Sequence, residues 1–325
     1  MDERRDRHMG THGDRHEARR MDAPGDRAAQ DGRAATTAAT SPAQGEHHDG
    51  EFHHHHSHGG HAHHEHGHHL LQVQGLTVSF TLYEQTGRFS SRRVTSKVVD
   101  GMDISVHVGE IVAVVGASGS GKSVLADAIM GLYEPNAAVE GTIYYDGIEQ
   151  TADSLRALRG HEIALVPQSV SSLDPLMKVG KQIGGSRQRR RELFERYELD
   201  ASVEDLYPFE LTGGMARRVL LATALVSSPR LIIADEPTPG PDLELAVRAM
   251  DDFRAFADGG GAVLLITHDI ELALKVADRV AVFKGGTVVE ETAVENFASP
   301  ELLHHEFSRA LWHALPDHDF SAVRR

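Results

Sequence analysis

The sequence predicts an α/β fold in which a parallel sheet carries a phosphate-binding loop, and three observations support this prediction. Residues 116–123 read GASGSGKS and fit the phosphate-loop pattern G-x-x-x-x-G-K-[ST] at every fixed position. The apolar run Ile111–Val115 precedes the loop, and a helical pattern over residues 124–132 follows it. Two further apolar runs, at residues 231–234 and 262–266, end in polar residues, as expected of parallel strands whose ends meet at one edge of a sheet.

The phosphate loop predicts that the chain binds ATP or GTP. Glycines are needed because backbone N–H groups must close around a phosphate with no side chain in the way. The helix that follows adds the partial positive charge of its amino terminus. Lys122 is expected to reach the β- and γ-phosphates, and the Ser123 hydroxyl is expected to bind Mg²⁺. The residues expected to contact the nucleotide in this segment are Gly116, Ala117, Ser118, Gly119, Ser120, Gly121, Lys122 and Ser123.

Composition divides the 325 residues into an arm, a domain and a short tail. Residues 1–69 are rich in Arg, Asp, Gly, Ala and His, and Phe52 is their only aromatic residue. Such a segment buries too little apolar surface to offset its ordering entropy, so we predict a disordered His-rich arm. The apolar periodicity of a single globular domain runs over residues 70–316, and residues 317–325 form a tail.

Composition also excludes several functional classes. No run approaches the ~20 apolar residues that a membrane span requires, and the charged amino terminus lacks the apolar core of a signal peptide. The chain has no cysteine, which excludes disulfides, thiolate zinc sites and cysteine-ligated iron–sulfur clusters. The net charge of −15, with no basic patch, argues against nucleic acid as the main partner.

Polar residues at the ends of three apolar runs are the candidate catalytic groups. Asp235 ends one run and can hold Mg²⁺ through water, while Glu236 follows where a base could orient the attacking water. His268 follows the run at 262–266, and because both strand ends reach the same edge of a parallel sheet, His268 could contact the γ-phosphate. Gln168 is a third polar residue near a strand end, after Ile163–Val166.

Two interpretations of Thr212, Gly213 and Gly214 are equally compatible with the sequence. A Gly-Gly pair at the start of a helix exposes N–H groups that can bind phosphate. Alternatively, Thr212 is a good helix N-cap, and the glycines that follow it bind nothing. The residue types alone do not decide between these interpretations.

These motifs, in this order and spacing, resemble the nucleotide-binding subunit of an ABC transporter over about residues 70–316. The resemblance implies a P-loop NTPase of the ABC ATPase type, with a mixed core sheet, an antiparallel β subdomain within residues 70–148 and a helical subdomain around residues 170–226. It implies ATP and Mg²⁺ as ligands. It also makes Glu236 the catalytic base, His268 the γ-phosphate switch residue and Gln168 the link to Mg²⁺, water and membrane subunits, with Lys122 as a catalytic cation.

The resemblance also implies partners. In this family two ATPase subunits face each other head to tail, and each ATP is clamped between one phosphate loop and the partner's signature loop. Here that loop is Thr212, Gly213 and Gly214, with Thr in the place usually held by Ser. Further expected partners are a second ABC ATPase subunit, two transmembrane permease subunits and an extracytoplasmic substrate-binding protein. The expected location is peripheral, at the cytoplasmic face of the cell membrane.

Two features of the sequence bear on the identity of the transported substrate. Residues 305–316 resemble the tail of dipeptide, oligopeptide and nickel importer ATPases. Thirteen of the twenty-three residues from 47 to 69 are His, and imidazoles bind Ni²⁺, Co²⁺, Zn²⁺ and Cu²⁺. The candidate ligands are His53, His54, His55, His56, His58, His61, His63, His64, His66, His68 and His69. The combination favours ATP-driven uptake of nickel, or next cobalt, and the alternative is a peptide importer whose arm binds metal only incidentally.

Overall fold

The structure is a computed structural model that describes residues 68–86, 90–117, 119–237 and 243–315. Its strands are β1 (His69–Gln85), β2 (Ser91–His107), β3 (Ile111–Val115), β4 (Ala137–Tyr145), β5 (Ile148–Glu149), β6 (Ile163–Val166), β7 (Leu231–Asp235), β8 (Ala262–Thr267), β9 (Arg279–Lys284) and β10 (Thr287–Ala293). Its α-helices are α1 (Lys122–Ile129), α2 (Ala152–Leu158), α3 (Val179–Gln182), α4 (Arg187–Arg196), α5 (Gly213–Val226), α6 (Leu243–Asp258), α7 (Ile270–Val276) and α8 (Glu306–His313).

A six-stranded mixed sheet forms the centre, in the order β10-β9-β3-β8-β7-β6. All neighbouring pairs from β9 to β6 are parallel, and β10 pairs antiparallel with β9. The residues of β3 are fully buried and apolar, because both faces of this sheet are covered. The alignment of Val115 with Thr267, and of Asp235 with Ile266, brings the carboxyl ends of β3, β8 and β7 to one edge.

The second sheet is antiparallel and four-stranded, in the order β2-β1-β4-β5. Both sheets were expected from the resemblance, and the α/β fold with a mixed core sheet and an antiparallel sheet is confirmed. The range expected for the antiparallel β subdomain, residues 70–148, includes elements that do not belong to the antiparallel sheet. It contains β3 and α1, and β3 lies in the mixed sheet because its apolar residues need cover on both faces.

Two hydrophobic cores lie on opposite faces of the mixed sheet. Ile111, Ala113 and Val115 belong to the core shared with α5, α6 and α7. Val112 and Val114 belong to the core shared with α1 and the antiparallel sheet. The alternation along β3 follows from the two-residue period of a strand, and it fixes the loop after Val115 between the two layers.

The region between β6 and β7 is helical, as expected. It contains α3, α4 and α5 with short 3-10 helices at Val170–Ser172, Ala201–Asp205 and Pro208–Glu210. Within it α4 packs against α5, and α5 packs against β6 at the border of the mixed sheet. We refer to residues 170–226 as the helical subdomain.

The C-terminal helix α8 docks on the domain through polar contacts. The Trp312 indole N–H donates to the Phe297 carbonyl at 2.8 Å. The buried Glu290 carboxylate accepts from the backbone N–H groups of His304 and His305 at 2.7 and 2.9 Å. In the part of the chain that the structure describes, no helix is both long enough and apolar enough to cross a bilayer.

Candidate active site

The phosphate loop lies between β3 and α1, and its shape requires glycine at two positions. A Cβ on Gly116 would lie 2.2 Å from the Phe283 carbonyl oxygen in β9. Gly121 has φ of +104°, and a Cβ there would lie 2.7 Å from Val98 Cγ1. Both positions therefore exclude any side chain, and the backbone turns tightly enough to present its N–H groups at the start of α1. Ser118 lies outside the described residues.

Lys122 begins α1 and is buried beneath the loop. Its ammonium group donates to the carbonyl oxygens of Gly116 and Ala117 at 3.0 and 2.9 Å. Burial lowers the pKa of Lys122, and the carboxylates of Glu236 and Asp235 oppose that shift. The fixed cation therefore lies within the loop that the sequence predicts for phosphate.

Asp235 ends β7 with its carboxylate facing the loop. The Ser123 hydroxyl lies beside this carboxylate, whose Oδ1 is buried with no hydrogen-bond partner among the described residues. Burial raises the pKa of Asp235 to about 6, with the Glu236 charge adding to the rise and the Ser123 hydroxyl opposing it. The buried Ser120 hydroxyl of the loop also has no partner among the described residues.

These unpartnered atoms fit Mg²⁺ and a nucleotide phosphate. Buried polar atoms in folded proteins are nearly always paired, so two unpartnered polar atoms close to the phosphate loop mark a place where a ligand can bind. The Ser123 hydroxyl and the Asp235 carboxylate provide the oxygen ligands that Mg²⁺ prefers. The Ser120 hydroxyl and the backbone N–H groups of the loop provide donors for phosphate oxygens.

Glu236 and His268 meet at the same edge. His268 Nδ1 lies 2.6 Å from Glu236 Oε2, although the two residues are 32 positions apart. The Glu236 side chain is 9% exposed, whereas His268 is 59% exposed. Glu236 has φ of +46°, and its N–H donates to the Ile266 carbonyl at 2.8 Å, which fixes this left-handed conformation. Such backbone strain in a non-glycine residue is typical of functional sites.

Gln168 lies at the same edge, beyond β6. Val166 aligns with Ala234 in β7, so the chain leaves the sheet beside Asp235. The Gln168 side chain is exposed, and it makes no hydrogen bond within the described part of the chain. It is therefore available to a ligand at this edge.

The signature residues lie elsewhere, at the amino end of α5. Thr212 caps the helix, because its hydroxyl accepts from the Met215 N–H at 3.3 Å. Gly213 and Gly214 are exposed, and a Cβ on either would meet open space. Across the described residues, no hydrogen bond joins these three residues to the phosphate loop. The N-cap interpretation thus describes the local geometry, and the glycine N–H groups remain accessible.

Val98 is a contact that the sequence analysis missed. Its side chain and carbonyl lie against Gly121, and its carbonyl also lies 2.8 Å from a Cβ placed on Gly286. An ordinary valine in β2 carries no motif that could have marked it. The neighbouring Lys97 pairs with Asp100 at 2.8 Å, on an exposed part of the strand.

Most of the histidine tract lies outside the described residues, including His53 to His66. The two described members have protein partners. His68 Nε2 lies 3.2 Å from Asp146 Oδ1, and the His69 ring lies 4.2 Å from the ring of His107. Burial lowers the pKa of His69. Within the described residues there is no group of three or more metal-binding side chains arranged to hold a metal ion.

Comparisons with known proteins agree with this geometry. A family profile described as ABC transporter matches residues 99–239. The chain is 35% identical over 268 residues to an oligopeptide transport ATP-binding protein of Lactococcus lactis subsp. cremoris, covering 76% of each protein. It is 31% identical over 276 residues to a dipeptide transport ATP-binding protein of Bacillus subtilis, covering 78% of this chain and 79% of that protein. A solved dimeric ATP-binding cassette, in a post-hydrolysis state with ADP and Pi, matches with a TM-score of 0.57 and 26% identity, over 69% of this chain and 98% of that one.

Proposed function

This chain belongs to the ATP-binding subunits of ABC transporters, and we propose that it energises the import of short peptides. It is an ATP-hydrolysing subunit of an importer in the peptide and nickel family. The observation that carries the peptide proposal is the match of about three quarters of the chain to ATP-binding proteins named for oligopeptide and dipeptide transport. The sequence analysis favoured nickel, and its peptide alternative has the better support.

The nucleotide is assigned to the phosphate loop and the Mg²⁺ to the adjacent strand end. Lys122 and the loop N–H groups hold the β- and γ-phosphates, which fits the buried position of the lysine. Ser123, Asp235 and Gln168 hold Mg²⁺ directly or through water. When bound, Mg²⁺ supplies charge neutralisation of the phosphate oxygens.

Glu236 is the general base in this proposal. Its carboxylate orients a water molecule and accepts the water proton as the water oxygen bonds to the γ-phosphorus. The bond from that phosphorus to the bridging oxygen breaks in the same step, and ADP leaves with the bridging oxygen. His268 holds the carboxylate in place through the 2.6 Å hydrogen bond and presents its second ring nitrogen outward. The outward nitrogen is free to contact the γ-phosphate, because the His268 side chain is largely exposed.

We place Thr212, Gly213 and Gly214 in the ATP site of a second ATP-binding subunit. Among the described residues of one chain, the three residues have no hydrogen bond to the phosphate loop, yet the glycines expose N–H groups at a helix start. The dimeric state of the similar solved cassette supports this arrangement. A Glu236→Gln chain is then expected to bind ATP, stop turnover and accumulate as a dimer with its partner subunit.

The permease subunits are assigned to an apolar patch on the helical subdomain. Leu176 and Phe209 are 87% and 73% exposed, and Phe209 stacks on Tyr207 with ring centroids 5.4 Å apart. The hydrogen bond from the Val179 N–H to the Leu206 carbonyl brings the two segments together. Large exposed apolar side chains on neighbouring segments are typical of protein interfaces. The chain would thereby be held at the cytoplasmic face of the membrane, and an extracytoplasmic binding protein would deliver the peptide.

Uptake in cells tests the substrate. A deletion strain would be complemented with the wild-type chain or the Glu236→Gln chain, and accumulation of a labelled dipeptide and a labelled pentapeptide would be measured. We expect uptake of at least one peptide to be restored by the wild type alone. Equal peptide uptake in the deletion strain and the complemented strain would contradict the proposal.

Import of nickel or cobalt is the second candidate, because thirteen histidines are concentrated in residues 47–69. The arm would then gather the metal near the transporter. Cellular nickel and cobalt, measured by mass spectrometry in the same strains, separate the two candidates. Loss of either metal on deletion, with peptide uptake unchanged, would favour metal import over peptide import.

A further inference from the structure

A buried carboxylate far from the phosphate loop in sequence links the helical subdomain to the core. Asp252 lies on α6 with a side chain that is 5% exposed. Its Oδ2 accepts a hydrogen bond from the Tyr197 hydroxyl at 2.6 Å, and its Oδ1 pairs with the guanidinium of Arg196. Arg196 is the last residue of α4, and Tyr197 is its C-cap. Two adjacent residues of the helical subdomain therefore bind one carboxylate of α6.

A second set of contacts strengthens the same junction. Arg248, one turn before Asp252 on α6, donates to the Arg196 carbonyl at 2.9 Å and to Glu198 at 2.8 Å. Glu198 has φ of +52°, a conformation that non-glycine residues rarely adopt. The carbonyl end of α4 is thus capped by a cation from α6, which complements the helix dipole.

Polar contacts of this kind restrict the orientation of the helical subdomain relative to the core more than apolar packing does. The helical subdomain also packs on the core through α5 and β6, but apolar packing is non-directional. Hydrogen bonds and ion pairs require defined distances and angles. Burial raises the pKa of Tyr197 to about 12, so its hydroxyl keeps its proton and remains a donor.

We propose that Tyr197, Arg196 and Asp252 form a latch that sets the orientation of α4 and α5 relative to the core sheet. Because α5 begins at Gly213, the latch positions the signature residues that a second subunit's ATP would contact. The last consequence rests on the composite site proposed above, whereas the latch itself does not. Tyr197 and Asp252 are positioning residues, since neither has a hydrogen bond to the described residues of the phosphate loop or of the strand ends that surround it.

The decisive experiment measures the orientation directly. The chain has no cysteine, so spin labels can be attached to Cys introduced at the exposed positions Arg191 on α4 and Lys275 on α7. The distance distribution would be recorded by pulsed electron resonance on the full chain without nucleotide. Tyr197→Phe is expected to broaden or shift this distribution, and Tyr145→Phe is the matched control. Tyr145 is also a buried tyrosine, and its hydroxyl donates to Glu162 at 3.1 Å, outside the helical subdomain.

Arg248→Met provides a second variant at the more exposed side of the junction, should Tyr197→Phe fail to fold. It is expected to broaden the distribution in the same direction. Distributions identical to wild type in both Tyr197→Phe and Arg248→Met would overturn the latch.

The effect on the composite site is measured separately, in the Glu236→Gln background with the partner ATP-binding subunit. Tyr197→Phe is expected to weaken ATP-dependent dimerisation about tenfold, the result of a fall in the dimerisation-competent orientation of α5 to about one tenth of the population. ATP affinity of the single chain should stay unchanged. Normal dimerisation with a broadened distance distribution would contradict the positioning of the signature residues and leave the latch intact. If the parent does not dimerise with ATP, the composite site fails, and the distance measurement still decides the latch.

Discussion

Asp235 and Asp252 are both almost completely buried, and they have opposite surroundings. Asp235, at the end of β7, has one oxygen without a partner among the described residues, and burial raises its pKa to about 6. Asp252, on α6, has each oxygen bound, one by Tyr197 and the other by Arg196. The unsatisfied carboxylate lies beside the phosphate loop, and the satisfied one joins two parts of the fold.

This difference shows how to separate a ligand site from a structural contact. Burying a charge without a partner costs free energy that folding alone does not recover, so such a group persists where a ligand compensates for it. A fully paired buried carboxylate requires no ligand. Its removal lowers the stability of the fold, because its former partners are left buried without a partner. The surroundings of Asp235 therefore indicate a ligand site, and those of Asp252 indicate a contact that orients the helical subdomain.

The largest effect on ATP affinity is expected at Lys122, the buried cation of the phosphate loop. Lys122→Met keeps the length of the side chain and removes the charge that we propose holds the phosphates. We expect ATP affinity to fall on the order of 100-fold, as loss of charge-assisted hydrogen bonds in a buried site implies. Titration of the full chain with a fluorescent ATP analogue measures this change. An affinity within about twofold of wild type would remove Lys122 from the binding site.

A matched pair of substitutions should change stability in opposite directions. The pKa of Asp235 is about 6 in the folded chain and 3.8 when unperturbed, so the folded state binds the proton more tightly. Ionisation therefore destabilises the fold increasingly from pH 4 to pH 6, and fully at pH 8. Asp235→Asn should add about 3 kcal/mol to the free energy of unfolding at pH 8. Asp252→Asn should lower it by about 1–2 kcal/mol, because the Arg196 ion pair is lost.

Urea unfolding at pH 8 and pH 4, without nucleotide and with chelator, checks this pair. The gain from Asp235→Asn should shrink towards zero at pH 4, where the wild-type carboxyl is already protonated in the folded state. Destabilisation by Asp235→Asn at pH 8 would mean that the carboxylate is satisfied in the free protein. The comparison with Asp252 would then fail.

A smaller effect is expected on Mg²⁺ binding as the pH falls. Mg²⁺ binds the ionised carboxylate, so protonation of Asp235 competes with the metal below about pH 6. The Mg²⁺-dependent part of ATP affinity should fall about tenfold for each pH unit below that value. ATP affinity measured from pH 5 to pH 8, with Mg²⁺ and with chelator, gives this difference. A Mg²⁺ effect independent of pH over this range would exclude Asp235 as a ligand.

The smallest effect on ATP hydrolysis is expected from removing residues 1–67. Every residue assigned to nucleotide binding or hydrolysis lies between positions 116 and 268, and the signature residues lie within that range. Hydrolysis by the truncated chain should match that of the full chain within about twofold, while the number of nickel ions bound per chain should fall. Loss of ATP hydrolysis on truncation would show that the arm contributes to the catalytic unit.

The meeting of Asp235, Glu236 and His268 near the phosphate loop could be predicted from the sequence, because its determinants are local. The phosphate loop is contiguous, and Asp235, Glu236 and His268 follow apolar runs that a parallel sheet brings to one edge. The meeting of Glu236 with His268 follows from adjacent strands in register. The fold class follows from the same alternation of apolar runs and helical patterns.

The latch could not be predicted from the sequence, because no local sequence pattern identifies Asp252 or Tyr197 as partners. Asp252 follows another aspartate on a helix whose apolar face includes Phe253, and an exposed position would have been equally consistent with that pattern. Its partner Tyr197 is 55 residues away, in a segment of irregular helices. The contact between Val98 and Gly121 could not be predicted from the sequence for a similar reason, because it depends on the path of β2 across the phosphate loop.

Steady-state ATP hydrolysis by the Glu236→Gln chain, with its partner ATP-binding subunit present, tests the central claim most directly. The substitution preserves the shape of the side chain and removes the base. We predict a fall of about 10²–10⁴-fold in turnover, with ATP affinity retained. Turnover equal to that of wild type would contradict the assignment of Glu236 and, with it, the catalytic role of this edge of the sheet.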